Sequence, residues 1–201
     1  MKNRRGITLI ELLVVIAVVG ILAIALSVQF TGWRSGYIIE TQMKQMHANL
    51  MNARARAMQM TRSQFVTLAT TLYSHYDDTY NAVTPLSPDG DRILQGASDT
   101  RVLQKSLDTR YPITWSVMDP PTIAFTKTGI ARDVLKADNS ISETSSDKTI
   151  CDNHPFQSLP QPDPAPDYDC IIIAATRISL GKLTNHIHDG GACDAANCVA
   201  R

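Results

Sequence analysis

The sequence predicts an α+β fold: one long N-terminal helix, its first half transmembrane, packed against a C-terminal antiparallel β-sheet domain. Three observations predict it. Ile7 to Phe30 is an almost unbroken apolar run, an apolar stripe then recurs at spacings of three and four from Gly36 to Met60, and from Phe65 the pattern changes to the two-residue alternation of strands. The chain has 201 residues, enough for one domain with a terminal appendage. Lysine plus arginine number 19 and aspartate plus glutamate 19, so no net field draws in nucleic acid or acidic substrates.

The first element is the apolar run. Written as a helix at about 1.5 Å per residue, its roughly 24 residues cross a hydrocarbon core of about 30 Å. Lys2, Arg4 and Arg5 precede it, and a short basic segment stays on the cytoplasmic face, which places the rest of the chain outside the inner membrane. A secretory signal peptide has a shorter apolar stretch with a small-residue cleavage site after it. Leu26, Ser27 and Val28 make a poor version of that site, and the small residue of note, Gly6, stands before the run. Glu11 is the one charge inside. A carboxylate within a membrane helix costs about 2.5 to 3.5 kcal/mol on insertion scales, so Glu11 calls for a partner.

The segment Arg5, Gly6, Ile7, Thr8, Leu9, Ile10, Glu11, Leu12, Leu13, Val14, Val15 resembles the class III leader and N-terminus of type IV pilins and pseudopilins. The resemblance implies that prepilin peptidase, a membrane-embedded aspartyl peptidase, cuts between Gly6 and Ile7 on the cytoplasmic face and methylates Ile7 as the new N-terminus. It further implies that Glu11, fifth in the mature chain, pairs with the N-terminus of a neighbouring subunit during assembly. The partners implied are other pilins or pseudopilins through the N-terminal helix, the peptidase, and an inner-membrane assembly platform driven by a separate ATPase. The organisation expected is a leader at 1–6, a transmembrane helix at 7–30, an extracytoplasmic helix half at 31–63 and a periplasmic β-rich domain at 64–201.

Beyond the bilayer the helix continues, because Gly36, Ile39, Met43, Met46, Leu50, Ala53, Ala57 and Met60 form one stripe. The first proline is Pro85, so nothing forces a kink before about Arg62. Methionines at helical spacing are read as core packing rather than a copper site. Many major pilins carry a proline where Val28 stands, a departure that points to a minor pilin or pseudopilin. Leu50 to Met58, with Arg54 and Arg56, leading to Phe65, Val66, Thr67 and Leu68, resembles the GspH and FimT branch of the family. For Arg54, Arg56 and Arg62 a solvated face and an interface both stay open.

Strands are expected at Phe65 to Tyr73 and at Tyr111, Ile113, Trp115 and Val117. Thr122 to Phe125, a turn at Thr128 and Gly129, and Ile130 to Leu135 make a hairpin, and Cys170 to Ser179 with Lys182 to His188 make another around Gly181. Polar insertions are expected at about 76–107 and 138–169, the second ending in Pro160, Pro162, Pro164 and Pro166.

Four cysteines, Cys151, Cys170, Cys193 and Cys198, fall on the extracytoplasmic side, where disulfides persist. Cys193 with Cys198 and Cys151 with Cys170 is the preferred arrangement, and two other pairings stay open. His154, His186 and His188 lie near the cysteines, but the spacing fits no zinc finger, and Asp189 to Asp194 lacks the alternating oxygens of an EF-hand. No metal or cofactor is assigned. No nucleophile elbow, P-loop, H-E-x-x-H or dinucleotide fingerprint occurs, so the chain is read as a peptidase's substrate and not an enzyme.

The function these features predict is a minor subunit in the tip or initiation complex of a type IV pilus or type II secretion pseudopilus. The alternative is DNA binding for natural transformation, as in FimT-like members with a basic C-terminal motif. Here Gly181 is followed by Lys182, Leu183 and Thr184, and the tail from Cys193 has only Arg201, so the phosphate-neutralising cluster is missing.

Overall fold

The computed structural model describes residues 8–80, 90–116, 118–154 and 166–201, with side chains described throughout these except at 24–33. Thr8 begins the helix: its hydroxyl accepts the Glu11 amide at 3.3 Å and satisfies one of the donors that a helix start leaves open. α1 (Leu9–Met60) then runs 52 residues without a break, about 78 Å at 1.5 Å per residue. It stops two residues short of the expected Arg62. Thr61 turns left-handed at φ 52° and returns its amide to the Ala57 carbonyl, which ends the ladder.

Among the described residues ten strands follow: β1 (Gln64–Ala69), β2 (Leu72–Asp77), β3 (Thr100–Ser106), β4 (Ile113–Trp115), β5 (Thr122–Phe125), β6 (Ala131–Arg132), β7 (Lys148–Asp152), β8 (Cys170–Ile173), β9 (Ile178–Leu183) and β10 (Cys198–Ala200). They form two five-stranded sheets, in the orders β3-β2-β1-β5-β6 and β10-β9-β8-β7-β4, with every pairing antiparallel. α1 packs on β1 and β5 of the first sheet and on β8 and β9 of the second. Its stripe from Gly36 to Ala57 is buried, and Met60, at the end, is 47% exposed. Ile39, Met43, Met46 and Leu50 share one core with Val66, Leu68, Phe125, Ile150 and Ile171. Strand alternation sends Phe65 to the opposite face, where it meets Ala124, Val134 and Ile141.

Four expectations are corrected. Phe65 to Tyr73 is not one strand but a hairpin, turning at Thr70 and Thr71 with Ala69 paired to Leu72. The insertion expected at 76–107 contributes β3, and the one at 138–169 contributes β7, a strand buried along its whole length. Gly181 is no turn. It lies inside β9, and the chain reverses at 174–177, where the Ala174 amide meets the Arg177 carbonyl at 2.8 Å. Three of the clustered prolines, Pro160, Pro162 and Pro164, lie outside the described residues, as does Val117.

Candidate functional site

Gly6 and Ile7, the expected cleavage and methylation positions, lie outside the described residues. Glu11 stands in the first turn of α1, where the helix dipole favours a carboxylate. Its side chain is exposed, and no partner for it occurs among the described residues. Around it the apolar side chains from Leu9 to Leu22 are all exposed, Leu9 to 82% and Ile21 to 69%. Among the described residues no helix is long and apolar enough to cross a membrane.

From Ser35 onward α1 changes character, and polar side chains fix it to its domain. The Asp108 amide donates to Gln42 Oε1 at 2.7 Å, and Asn49 Nδ2 donates to Tyr73 Oη at 2.7 Å. Nearer the end, Arg54 Nη1 donates to the Thr176 carbonyl at 2.6 Å, between β8 and β9. Arg56 and Arg62 both reach Asp77 of β2, at 3.2 and 3.6 Å. These arginines therefore serve neither as a solvated face nor as a free interface. They tie the helix end to both sheets.

Asp77 is itself buried, and Gln64 Nε2 donates to its Oδ1 at 2.8 Å. That leaves Gln64 Oε1 to accept from His75 Nε2 at 2.7 Å. Burial, with the Arg56 charge adding to it, holds the His75 imidazole down at about 4, so it stays neutral and donates. Sequence reasoning missed Asp77, Gln64 and His75. The signal present was three polar residues on strand positions that alternate with Phe65 and Tyr76.

The disulfides join Cys151 to Cys193 and Cys170 to Cys198, with Cα separations of 5.9 and 6.1 Å. This corrects the preferred pairing. Cys151 and Cys170 face each other across β7 and β8, yet each bonds the C-terminal tail instead, which pins the tail to the sheet in two places. The Cys170–Cys198 bridge passes from β8 to β10 over β9 at Gly181, where a Cβ would stand 2.7 Å from Cys198 Sγ. The three histidines do not converge: His154 Nδ1 lies 3.0 Å from the Arg110 carbonyl, and His186 lies 3.8 Å from Asp169. Among the described residues no group of three histidine, cysteine or acidic side chains could hold a metal ion.

Comparison with known proteins finds its family match at the N-terminus, where residues 1–27 match the prokaryotic N-terminal methylation motif. No curated protein matches the chain. Two solved structures are similar to it, both of the minor pseudopilin EpsH from the Type 2 Secretion System of Vibrio cholerae. One has 13% identity and a TM-score of 0.41 and covers 71% of this chain and 95% of that chain. The other has 9% identity and a TM-score of 0.44 and covers 73% and 94%. The chain therefore carries the prokaryotic N-terminal methylation motif at its N-terminus, and a long helix leads from that segment into antiparallel sheets.

Proposed function

We propose that this chain is a minor pilin or pseudopilin subunit. Prepilin peptidase cleaves it between Gly6 and Ile7 and methylates Ile7, and the mature chain joins the tip or initiation complex of a type IV pilus or type II secretion pseudopilus. The match of residues 1–27 to the methylation motif carries this reading. Physical chemistry supports it. The large apolar side chains from Leu9 to Leu22, each worth about 1.5 kcal/mol or more on burial, together leave well over 10 kcal/mol unrealised in water. Lipid covers them before assembly, with residues 7–30 spanning the inner membrane, and neighbouring helices cover them afterwards. Glu11 then needs a cation at its depth, and the methylated amine of Ile7 on an adjacent subunit supplies one.

Intact-mass measurement of the membrane-extracted chain tests the reading. The expected product lacks Met1 to Gly6 and carries one added methyl group. A chain that retains its first six residues overturns it.

A further inference from the structure

A cavity of about 340 Å³ opens where α1 ends. Four cations, Arg62, Arg92, Lys127 and Arg132, line it together with Asp78, Gly90 and four serine and threonine residues. Three of these cations are not held by a buried carboxylate. Lys127 has no partner among the described residues, and Arg132 donates to the backbone carbonyl of Glu143 with no carboxylate partner among them. Arg92 meets the Glu143 carboxylate at 3.1 Å, with both side chains more than half exposed, a pairing worth little in water. Only Arg62 shares a buried carboxylate, Asp77 at 3.6 Å.

The carboxylate in the wall opposes this charge weakly. Asp78 is buried, and its Oδ2 accepts the Arg92 amide at 2.9 Å, while Oδ1 has no hydrogen-bond partner among the described residues. Burial pushes its carboxyl up to about 7, and the nearby Asp99 and Asp91 charges add to that. Near neutral pH Asp78 therefore carries only part of its negative charge, Asp77 and Glu143 offset Arg62 and Arg92, and Lys127 and Arg132 line the opening with no carboxylate partner among the described residues. Guanidinium forks and an ammonium around one opening are what oxygen anions select. Placement narrows the ligand. The cavity sits at the distal end of α1, about 45 Å along the helix from Phe30, where the proposed membrane span ends, out of reach of the headgroups beside that span.

We propose that this cleft binds an oxyanion, carboxylate or phosphate, on Lys127, Arg132 and Arg92 at the distal end of α1. The site stands whether or not the N-terminus is processed. Phosphorus NMR of inorganic phosphate, titrated with the full chain in non-ionic detergent at constant ionic strength, tests it. Saturable line broadening is expected, and a Lys127→Ala/Arg132→Ala variant should weaken it about tenfold or more, since charge-assisted hydrogen bonds are the strong ones. A Lys105→Ala/Lys182→Ala variant, altered on β3 and β9 away from the cavity, should match the parent chain. Succinate added at equal concentration separates the sources: displacement of phosphate assigns a carboxylate ligand, and resistance assigns phosphate. Broadening that never saturates, or equal affinity in the two double variants with unfolding curves unchanged, overturns the proposal.

Discussion

Gly181→Ala puts the strapped tail to a direct test. The added methyl would lie 2.7 Å from Cys198 Sγ, 2.8 Å from the Val199 carbonyl oxygen and 3.1 Å from Cys170 Sγ, whereas relaxed contacts between such atoms lie near 3.5 to 4 Å. β9 is held on both sides by β8 and β10, so it has little room to move away. The bridge it obstructs closes a 28-residue separation, worth about 3.6 kcal/mol on the chain-entropy scale. The variant should therefore contain molecules with two alkylatable thiols and lose roughly 2 to 4 kcal/mol in urea unfolding. Mass spectrometry after alkylation counts the thiols. In a Cys170→Ala/Cys198→Ala background the same glycine change should cost much less, with a remainder from the Val199 carbonyl. A fully oxidised Gly181→Ala chain with an unchanged midpoint, or an equal penalty in both backgrounds, would refute the steric argument.

Glu11→Ala should still be cleaved and methylated yet be recovered poorly in sheared filaments. Normal incorporation would remove Glu11 from assembly. Asp77→Ala strands Arg56, Arg62 and Gln64 together and should cost about 3 kcal/mol, whereas Arg56→Ala leaves Asp77 two partners and should cost about 1 kcal/mol; urea midpoints rank them. Burial, with Asp169 nearby, pushes the Asp152 carboxyl up to about 7. Its folded form holds a proton that the unfolded chain releases near 4, so its contribution to stability is full below about pH 4 and is lost as pH rises through about 7. Asp152→Asn should therefore gain on the parent chain across that window, by up to about 4 kcal/mol, in urea unfolding at stepped pH. A pH-independent difference would sink the assignment.

The long helix and its buried stripe were legible because one period of three and four persists from Gly36 to Ala57 without a proline. The hairpin of β5 and β6 was legible because Gly129 sits where the turn needs φ 75°. What was not legible follows from the same physics. β7 reads Lys-Thr-Ile-Cys-Asp, with a charge at each end, and looks like loop. Yet Lys148 is buried at 1% exposure because Asp133 meets it at 2.5 Å from a distant segment. β3 is an edge strand, largely exposed, so its residues need not alternate in polarity. Thr70 and Thr71 carry none of the glycine, asparagine or proline that marks a tight turn. The cysteine pairing depends on where the tail lies over the second sheet, which no spacing encodes. At the candidate site, Gly6, Ile7 and Glu11 came from the motif, while the anchoring of the arginines required partners on β2 and beyond β8.

The polar anchors explain something the stripe alone leaves undetermined. Sliding α1 by seven residues places Met46 where Ile39 was, Leu50 where Met43 was, Ala53 where Met46 was and Ala57 where Leu50 was. The stripe stays apolar in that register, but Ala53 and Ala57 then stand where Met46 and Leu50 packed, so the period alone only partly fixes the register. The anchors do not repeat. Shifting by seven puts Asn49, one methylene shorter, at the place of Gln42 and the longer, charged Arg56 at the place of Asn49, and leaves the place of Arg56 to a residue beyond the end of α1, so the bonds to Asp108, Tyr73 and Asp77 are lengthened, misfitted or lost. Each lost bond at these part-buried sites costs about 1 to 3 kcal/mol, and several are lost together. That penalty selects one register, and register sets reach: a seven-residue slip would move Glu11 by about 10 Å relative to the sheets. On the proposed pairing of Glu11 with a neighbour's N-terminus, the depth at which the two meet therefore depends on polar contacts some 30 residues or more away along the helix.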